Sequence, residues 1–135
     1  MIIGIGTDIL EIKRIGKILN KHDKKFIKRI YGFNEISVIE NKKNNLDHYL
    51  SKRFAAKEAT WKAFNPKRGM GLIFKEMETL NDKNGKPYLF FSGNTERYIK
   101  EKEKELKGKF KFDISLSDEQ QYVIAFVVIS LAPFV

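Results

Sequence analysis

The most apolar stretch of the chain runs from Tyr122 to Val135 and is about 14 residues long. A helix that crosses a membrane needs roughly 20 apolar residues, so this stretch is too short for that role. It is rich in valine and isoleucine, which favour extended backbone. The sequence therefore predicts a buried strand here.

The other segments predict helices mixed with antiparallel strands. Of the 135 residues 42% are hydrophobic, which suffices for one modest core, and we expect residues 1–135 to form a single domain. Strands joined as hairpins, beside separate helices, favour an α+β fold with a mostly antiparallel sheet, a long central helix and flanking helices. We predict strands at 2–9, 110–116 and 122–131, a hairpin of 72–80 with 87–92, helices at 46–64 and 94–107, and one or two helices between 11 and 30.

Three local features refine this prediction. His22 and Asp23 are a candidate break in the first helical region, and residues 31–45 are expected to be mostly loop. Gly108 is expected to end the helix at 94–107. Gly4 and Gly6 interrupt the first strand, which indicates a bulge or a close approach of another backbone.

Positive charge is concentrated near the N-terminus. The chain has 26 lysines and arginines against 17 acidic residues, a formal net charge of +9 at pH 7, so an acidic partner is expected. Helical spacing aligns four lysines on one face, with further basic residues beside them, and this surface could dock an acidic helix, follow a nucleic-acid backbone or simply be solvated. The only aromatic residue in the segment, Phe26, is assigned to the core, so base stacking is poorly supported. We call this surface the basic stripe: Lys13, Lys17, Lys21 and Lys24, flanked by Arg14, Lys25 and Lys28.

Several classes of site are excluded by composition. The chain has no cysteine, so disulfides, thiolate nucleophiles and cysteine zinc sites are absent, and a metal would need oxygen ligands or the two histidines. A dinucleotide fingerprint would need a third glycine where Ile9 stands, and no Gly-Lys-Ser or Gly-Lys-Thr phosphate loop occurs. The N-terminal segment lacks the basic and cleavage-site features of a signal peptide, so we expect a cytoplasmic location.

Two carboxylates lie among apolar or small residues. Asp8 follows an apolar strand, and Glu58 lies among alanines of the central helix, where an unpaired charge would be costly. A shared magnesium ion would satisfy both, because it prefers oxygen ligands and is often held by one or two carboxylates plus phosphates. The alternative is a helix N-cap for Asp8 and a surface salt bridge for Glu58.

Two basic residues share the central helix with Glu58. Lys62 lies four residues after Glu58 on the same face, and Arg53 lies about one and a half turns earlier. A metal-binding carboxylate beside a lysine suits transfer from a diphosphate, because charge gathers on phosphoryl oxygens in the transition state. An ordinary Glu58–Lys62 helix pair fits the same spacing.

Three separated motifs together resemble a known enzyme family. They are GIGTDILEI at 4–12, followed by Arg14; RFAAKEA at 53–59, followed by Lys62; and NGKPY at 84–88. In this order they are similar to the signature segments of the 4′-phosphopantetheinyl transferases known as holo-acyl-carrier-protein synthases. The resemblance covers essentially the whole chain.

The resemblance implies a reaction and a set of roles. Members transfer the phosphopantetheine arm of coenzyme A to a serine of apo acyl carrier protein, for fatty acid biosynthesis, and release 3′,5′-ADP. Family members are typically homotrimers with sites between subunits. By motif position, Asp8 and Glu58 match the family's magnesium ligands, Lys62 matches a residue that contacts the diphosphate, and Arg53 matches one that contacts a phosphate. Gly85, Lys86 and Pro87 match a loop beside the adenosine. Arg14 and the basic stripe match the surface that binds the acidic carrier protein.

The general base is not identified by any motif. Glu58 is the candidate, acting on the carrier serine directly or through a water. For this enzyme we expect neither a nucleic-acid nor a membrane partner. The alternative is a non-catalytic basic nucleic-acid-binding module, which would have no need of Asp8 and Glu58.

One segment departs from the family pattern. Where the family usually has two histidines around a Ser/Thr-containing strand, this chain has Asp113 and Asp118, while Ser115 matches and could donate a hydrogen bond to the coenzyme. Aspartates beside coenzyme phosphates would repel them unless they turn away or are bridged by a metal or a lysine.

Overall fold

A computed structural model describes residues 1–42, 44–67 and 71–134. The described chain contains both strands and helices, and every strand pair in it is antiparallel, so the predicted α+β fold is confirmed. The elements are β1 (Ile2–Glu11), α1 (Ile12–Ile30), α2 (Phe33–Ile39), α3 (Leu46–Phe64), β2 (Met77–Asn81), β3 (Pro87–Phe91), α4 (Gly93–Leu106), β4 (Gly108–Asp118) and β5 (Tyr122–Pro133).

The strand predicted from the apolar C-terminal run is β5, the central strand of the larger sheet. It pairs with β1 on one side and with β4 on the other. Only one of its faces is buried, because Val123, Ala125 and Val127 are enclosed while Ile124 and Phe126 on the opposite face are exposed. Within the described residues, no helix combines enough length and apolarity to cross a membrane.

The long helix α3 packs on the buried face of this sheet, and small residues let it approach closely. Ala55, Ala59 and Ala63 are buried in the contact. A Cβ atom at Gly4 or Gly6 would overlap the carbonyl oxygen of Ala63 or Ala59, so the predicted close backbone approach is confirmed at β1. The register of β1 against β5 also shifts between Ile2 and Gly4.

The second sheet is the predicted hairpin of β2 and β3, which packs beside α3. Its first strand is shorter than predicted, because residues 74–76 form a 3-10 turn before Met77.

Two predictions about helix boundaries were wrong. Residues 33–39 form α2 rather than loop, because the carboxylate of Glu35 accepts the Gly32 N–H and the carboxylate of Glu78, on β2, accepts the Glu35 N–H. Helix α4 ends with Lys107 in the left-handed region (φ 54°), whereas Gly108 already belongs to β4. The predicted break is confirmed at His22, whose backbone is non-helical inside α1.

Candidate active site

The close contact of β1 with α3 brings together the first three predicted site residues. Asp8 is on the β1 face that meets α3, and its carboxylate Oδ1 lies 3.3 Å from the ammonium nitrogen of Lys62. The same ammonium donates to the Thr7 carbonyl at 2.9 Å. Lys62 therefore pairs with the carboxylate across the β1–α3 contact, and its side chain remains half exposed.

Asp8 and Glu58 interact electrostatically, and their environment disfavours charge on both. Burial raises the pKa of Glu58, and the nearby Asp8 carboxylate raises it further, while Lys62 and Arg14 oppose this shift. Burial also raises the pKa of Asp8, again opposed by Lys62 and Arg14. Two carboxylates that resist ionisation side by side gain strongly from a shared cation. We call Asp8 and Glu58 the carboxylate pair.

The donor set of this pair fits magnesium. Both groups offer oxygen, and the described residues contain no cluster of three or more histidine or acidic side chains that could enclose a metal. A site with only two protein carboxylates leaves coordination positions for water and for phosphate oxygens, which is the arrangement magnesium favours.

Arg53 lies elsewhere on α3, in a cleft of about 630 Å³. Arg53 is only 5% exposed, and its guanidinium carbon lies 4.2 Å from the centre of the Tyr49 ring. The buried Arg53 Nε has no hydrogen-bond partner within the described structure. We call this the Arg53 cleft; it is lined by Val38, Lys42, Asn45, His48, Tyr49, Lys52, Arg53, Asn81 and Asp118.

The two aspartates that depart from the family pattern have different surroundings. Asp118 lines the Arg53 cleft, where its carboxylate pairs with the ammonium of Lys52 at 3.2 Å. Asp113 is exposed on β4, and its carboxylate lies 3.7 Å from the Lys111 ammonium. Each aspartate is thus paired with a lysine. Such a pair offsets the negative charge that would otherwise repel a nearby phosphate.

Ser115 is also exposed on β4, directly opposite Phe126 of β5. It points away from the helix-covered face of the sheet, because it alternates with the half-buried Ile114 and Leu116. Within one chain, Ser115 is therefore on the opposite side of the sheet from the carboxylate pair.

The predicted adenosine loop is the tip of the β2–β3 hairpin. Gly85 adopts φ 84°, a left-handed conformation that favours glycine. The Asp82 carboxylate accepts the N–H groups of Asn84 and Lys86 and so rigidifies the turn, and Pro87 begins β3. Asn81, at the end of β2, lines the Arg53 cleft, which places the hairpin beside it.

The basic stripe is exposed along α1, at Lys13, Arg14, Lys17, Lys21 and Lys24. The kink at His22 interrupts the helical repeat, so Lys24 does not continue the row of the three preceding lysines with regular spacing. Arg14 lies near enough to the carboxylate pair to affect both pKa values, so the stripe begins at that site.

Several residues of the Arg53 cleft were missed by the sequence analysis. Tyr49 forms its aromatic wall, and the ammonium of Lys42 lies 5.0 Å from the centre of the same ring. His48 and Lys52 add polar and basic groups. The available signal was the four-residue spacing of Tyr49 and Arg53, which puts a cation over an aromatic ring on one helix face.

The carboxylate pair and the Arg53 cleft are separate in one chain. Neither Asp8 nor Glu58 is among the described residues that line the cleft.

The chain was compared with known protein families, and one family model matches most of it. The family model of the 4′-phosphopantetheinyl transferase superfamily matches residues 4–127, a range that contains the carboxylate pair, the basic stripe and the Arg53 cleft. The chain belongs to this superfamily. The resemblance seen in its motifs is thereby confirmed.

Two relatives of similar length are both holo-[acyl-carrier-protein] synthases. The chain is 44% identical over 131 residues to a holo-[acyl-carrier-protein] synthase of Wolbachia sp. subsp. Drosophila simulans, covering 96% of this chain and 98% of that protein. It is 39% identical over 131 residues to the corresponding synthase of Orientia tsutsugamushi strain Boryong, with the same coverages of 96% and 98%.

Solved structures agree with the fold. The synthase of Neisseria meningitidis superposes with a TM-score of 0.84 at 35% identity, covering 96% of this chain and 99% of that one. The synthase of Bacillus anthracis in complex with CoA (3′,5′-ADP) superposes with a TM-score of 0.74 at 35% identity, covering 96% of each chain.

Proposed function

We propose that this chain transfers the 4′-phosphopantetheine arm of coenzyme A to a serine of apo acyl carrier protein and releases 3′,5′-ADP, in a magnesium-dependent reaction. Family membership supports the transferase. The observation that carries the metal and residue assignments is the meeting of Asp8 with Lys62, and its electrostatic interaction with Glu58, at the β1–α3 contact. A nucleic-acid-binding module would have no use for this arrangement.

The carboxylate pair would hold the magnesium ion, which supplies charge stabilisation to the diphosphate when it is bound. Lys62 is half exposed, so its ammonium can turn from Asp8 towards a phosphoryl oxygen and offset charge there. Arg53 and the lysines of its cleft would bind phosphate groups of the coenzyme, with Gly85, Lys86 and Pro87 beside the adenosine.

The carrier serine must lose its proton as its oxygen attacks the phosphorus that bears the pantetheine arm. Glu58 would accept this proton, directly or through a water, while the bond to the 3′,5′-ADP oxygen breaks. Burial raises the pKa of the Glu58 carboxyl, whereas a bound magnesium ion would lower it, so this carboxylate would be a weaker base with the metal than without it.

The basic stripe would receive the acidic carrier protein. Its position supports this role, because the stripe begins at Arg14, close to the carboxylate pair where the serine must arrive. Electrostatic attraction would steer the carrier protein to this end of the molecule.

We propose the homotrimer with sites between subunits that the family resemblance implies, and the exposed face of the larger sheet supports self-association. Ile9, Ile124 and Phe126 are 63%, 44% and 43% exposed, and pairing of Ile9 with Ile124 places them side by side. An apolar patch of this kind on a soluble protein marks an interface. A second copy on this face could also bring one chain's Ser115 or cleft to the other's carboxylate pair. Light scattering should give a trimer, and Phe126→Asp should give a monomer with little transferase activity.

The direct test follows the released product. The protein is incubated with coenzyme A, magnesium and apo acyl carrier protein, and 3′,5′-ADP is measured by chromatography. Release should require the carrier protein and should be lost with a carrier whose acceptor serine is alanine. Equal release from both carriers, or none from either, would overturn the proposal.

A further inference from the structure

Lys57, the residue directly before Glu58, is completely buried. Its ammonium donates to the Glu35 carboxylate at 2.6 Å, to the Phe74 carbonyl at 2.9 Å and to the Met77 carbonyl at 2.8 Å. All three donor positions of the ammonium are therefore used inside the protein.

Glu35 is equally buried and equally well satisfied. Besides Lys57, its carboxylate accepts the N–H of Gly32 at 3.0 Å and the N–H of Thr79 at 3.0 Å. The Lys57–Glu35 pair thus connects α3 to α2 and to β2 through directional bonds.

On the opposite side of α3 the described hydrogen bonds to β1 come from the ammonium of Lys62, whose half-exposed side chain is less constrained than that of the buried Lys57. There, alanines such as Ala59 and Ala63 lie against Gly4 and Gly6. Contacts between such small side chains allow a close approach but resist rotation of the helix about its axis only weakly. Hydrogen bonds from Lys57 depend strongly on angle, so the pair fixes that rotation. Because Glu58 is the next residue, the same rotation decides how far its carboxylate points towards Asp8.

The Lys57–Glu35 pair is also connected to the Arg53 cleft. The hydroxyl of Tyr49 donates to the backbone carbonyl of Glu35 at 3.4 Å. The guanidinium carbon of Arg53 lies 4.2 Å from the centre of the same Tyr49 ring. A change at Glu35 is therefore transmitted to the wall on which Arg53 rests. One buried network touches both the carboxylate pair and the cleft.

We propose that Lys57 and Glu35 are positioning residues for the transfer reaction: they set the rotation of α3 so that Glu58 meets Asp8, and they hold Tyr49 beneath Arg53. This inference rests on the proposed function. A buried ion pair is a poor device for stability alone, because a neutral pair of similar shape is often as stable. The same pair is a good device for orientation.

The first test replaces the ion pair by a neutral pair, Lys57→Met with Glu35→Gln, which leaves no unpaired buried charge. We expect kcat to fall roughly 10- to 100-fold, as for a misplacement of about 1 Å in an active site, and the KM for the carrier protein to stay unchanged. Thermal melting shows that the variant is folded at the assay temperature. A kcat within about twofold of wild type would overturn the proposal.

The control is the ion pair of Glu103 on α4 with Lys109 on β4, 3.5 Å apart, in which the lysine is exposed. Glu103 is buried and its carboxylate also accepts the Phe110 N–H. Glu103→Gln with Lys109→Met makes the same neutralisation away from both parts of the site. It should change the melting temperature and leave kcat unchanged, and an equal fall in kcat would overturn the positioning role.

A second variant decides the case if the neutral pair does not fold. Glu35→Asp keeps the charge and shortens its reach, so the fold is kept and kcat should fall several-fold. Calorimetric titration of each folded variant with coenzyme A and magnesium gives a readout without transfer, and binding should weaken along with kcat. Wild-type protein that binds coenzyme A but transfers nothing would refute the proposed function alone, whereas unchanged kcat and binding in Glu35→Asp would refute the positioning role alone.

Discussion

The ammonium of Lys62, on α3, lies 3.3 Å from the carboxylate of Asp8, on β1. The lysine therefore pairs with one of the two proposed magnesium ligands. Magnesium would have to compete with this ion pair, and a lysine released from it would be free to contact a phosphoryl oxygen.

Replacement of Lys62 by methionine should separate metal affinity from catalysis. Without the lysine, magnesium meets less positive charge and an unpaired Asp8, and its dissociation constant should fall roughly fivefold or more, since unit charges about 4 Å apart interact by ~1 kcal/mol in water. The kcat should fall roughly 100-fold because a phosphoryl contact is lost. Magnesium titration by calorimetry and steady-state kinetics measure the two effects. Lys100→Met, at an exposed site on α4, should change neither.

Replacement of Glu58 by glutamine should stabilise the metal-free protein and abolish transfer. The pKa of Glu58 is raised above its usual 4.5 by burial and by Asp8, so the folded protein binds this proton more tightly than the unfolded chain does. The free energy of unfolding of the wild type therefore falls as pH rises through the raised pKa. The variant has no ionisable group at position 58, so its free energy of unfolding does not fall for this reason.

Thermal melting between about pH 4.5 and pH 8 checks this prediction. The melting temperature of Glu58→Gln should exceed that of the wild type increasingly towards the upper end. Added magnesium should raise the wild-type value much more than that of the variant. A variant that melts below the wild type at pH 8 without metal would show that the carboxylate is not destabilised by its surroundings.

Replacement of Arg53 by glutamine should weaken coenzyme binding. A charge-assisted hydrogen bond to a phosphate contributes about 1.5–3 kcal/mol, so the dissociation constant of coenzyme A should rise roughly 10- to 100-fold. The carrier-protein KM should be unaffected, because the basic stripe is on another helix. Arg97→Gln removes an exposed arginine from α4 and should leave both constants unchanged. Unchanged coenzyme binding in the Arg53 variant would remove the cleft from the site.

Reversal of charge on the basic stripe should affect the carrier protein selectively. Lys17→Glu with Lys21→Glu removes attraction for an acidic surface and should raise the carrier-protein KM roughly 10-fold or more, most strongly at low salt. The coenzyme KM should change little. Lys100→Glu with Lys104→Glu makes the same charge change on α4 and should be almost silent. Equal losses for both substrates would count against the assigned role of the stripe.

Local patterns in the sequence predicted most of the fold. Helix α3 has the bounds expected from its periodicity, and the glycines of β1 indicated the close approach that α3 makes. Helix α2 was missed because its capping depends on Glu78, which is distant in the sequence. No local pattern contains that contact.

The candidate site, like the fold, could be predicted from the sequence only in part. The family motifs identified Asp8, Glu58 and Lys62, whose positions follow from one strand and one helix. The pairing of Asp118 with Lys52, and of Lys57 with Glu35, depends on how separate elements pack. Charge pairs between segments that are distant in the sequence can be identified only from the three-dimensional structure.

Transfer is tested most directly by the intact mass of acyl carrier protein after incubation with coenzyme A, magnesium and this protein. We expect wild-type protein to add the mass of one phosphopantetheine arm, chelation of magnesium to prevent the addition, and folded Glu58→Gln to add none. A carrier preparation that a characterised phosphopantetheinyl transferase modifies, but that folded wild-type protein leaves unchanged, would show that this chain is not the proposed transferase.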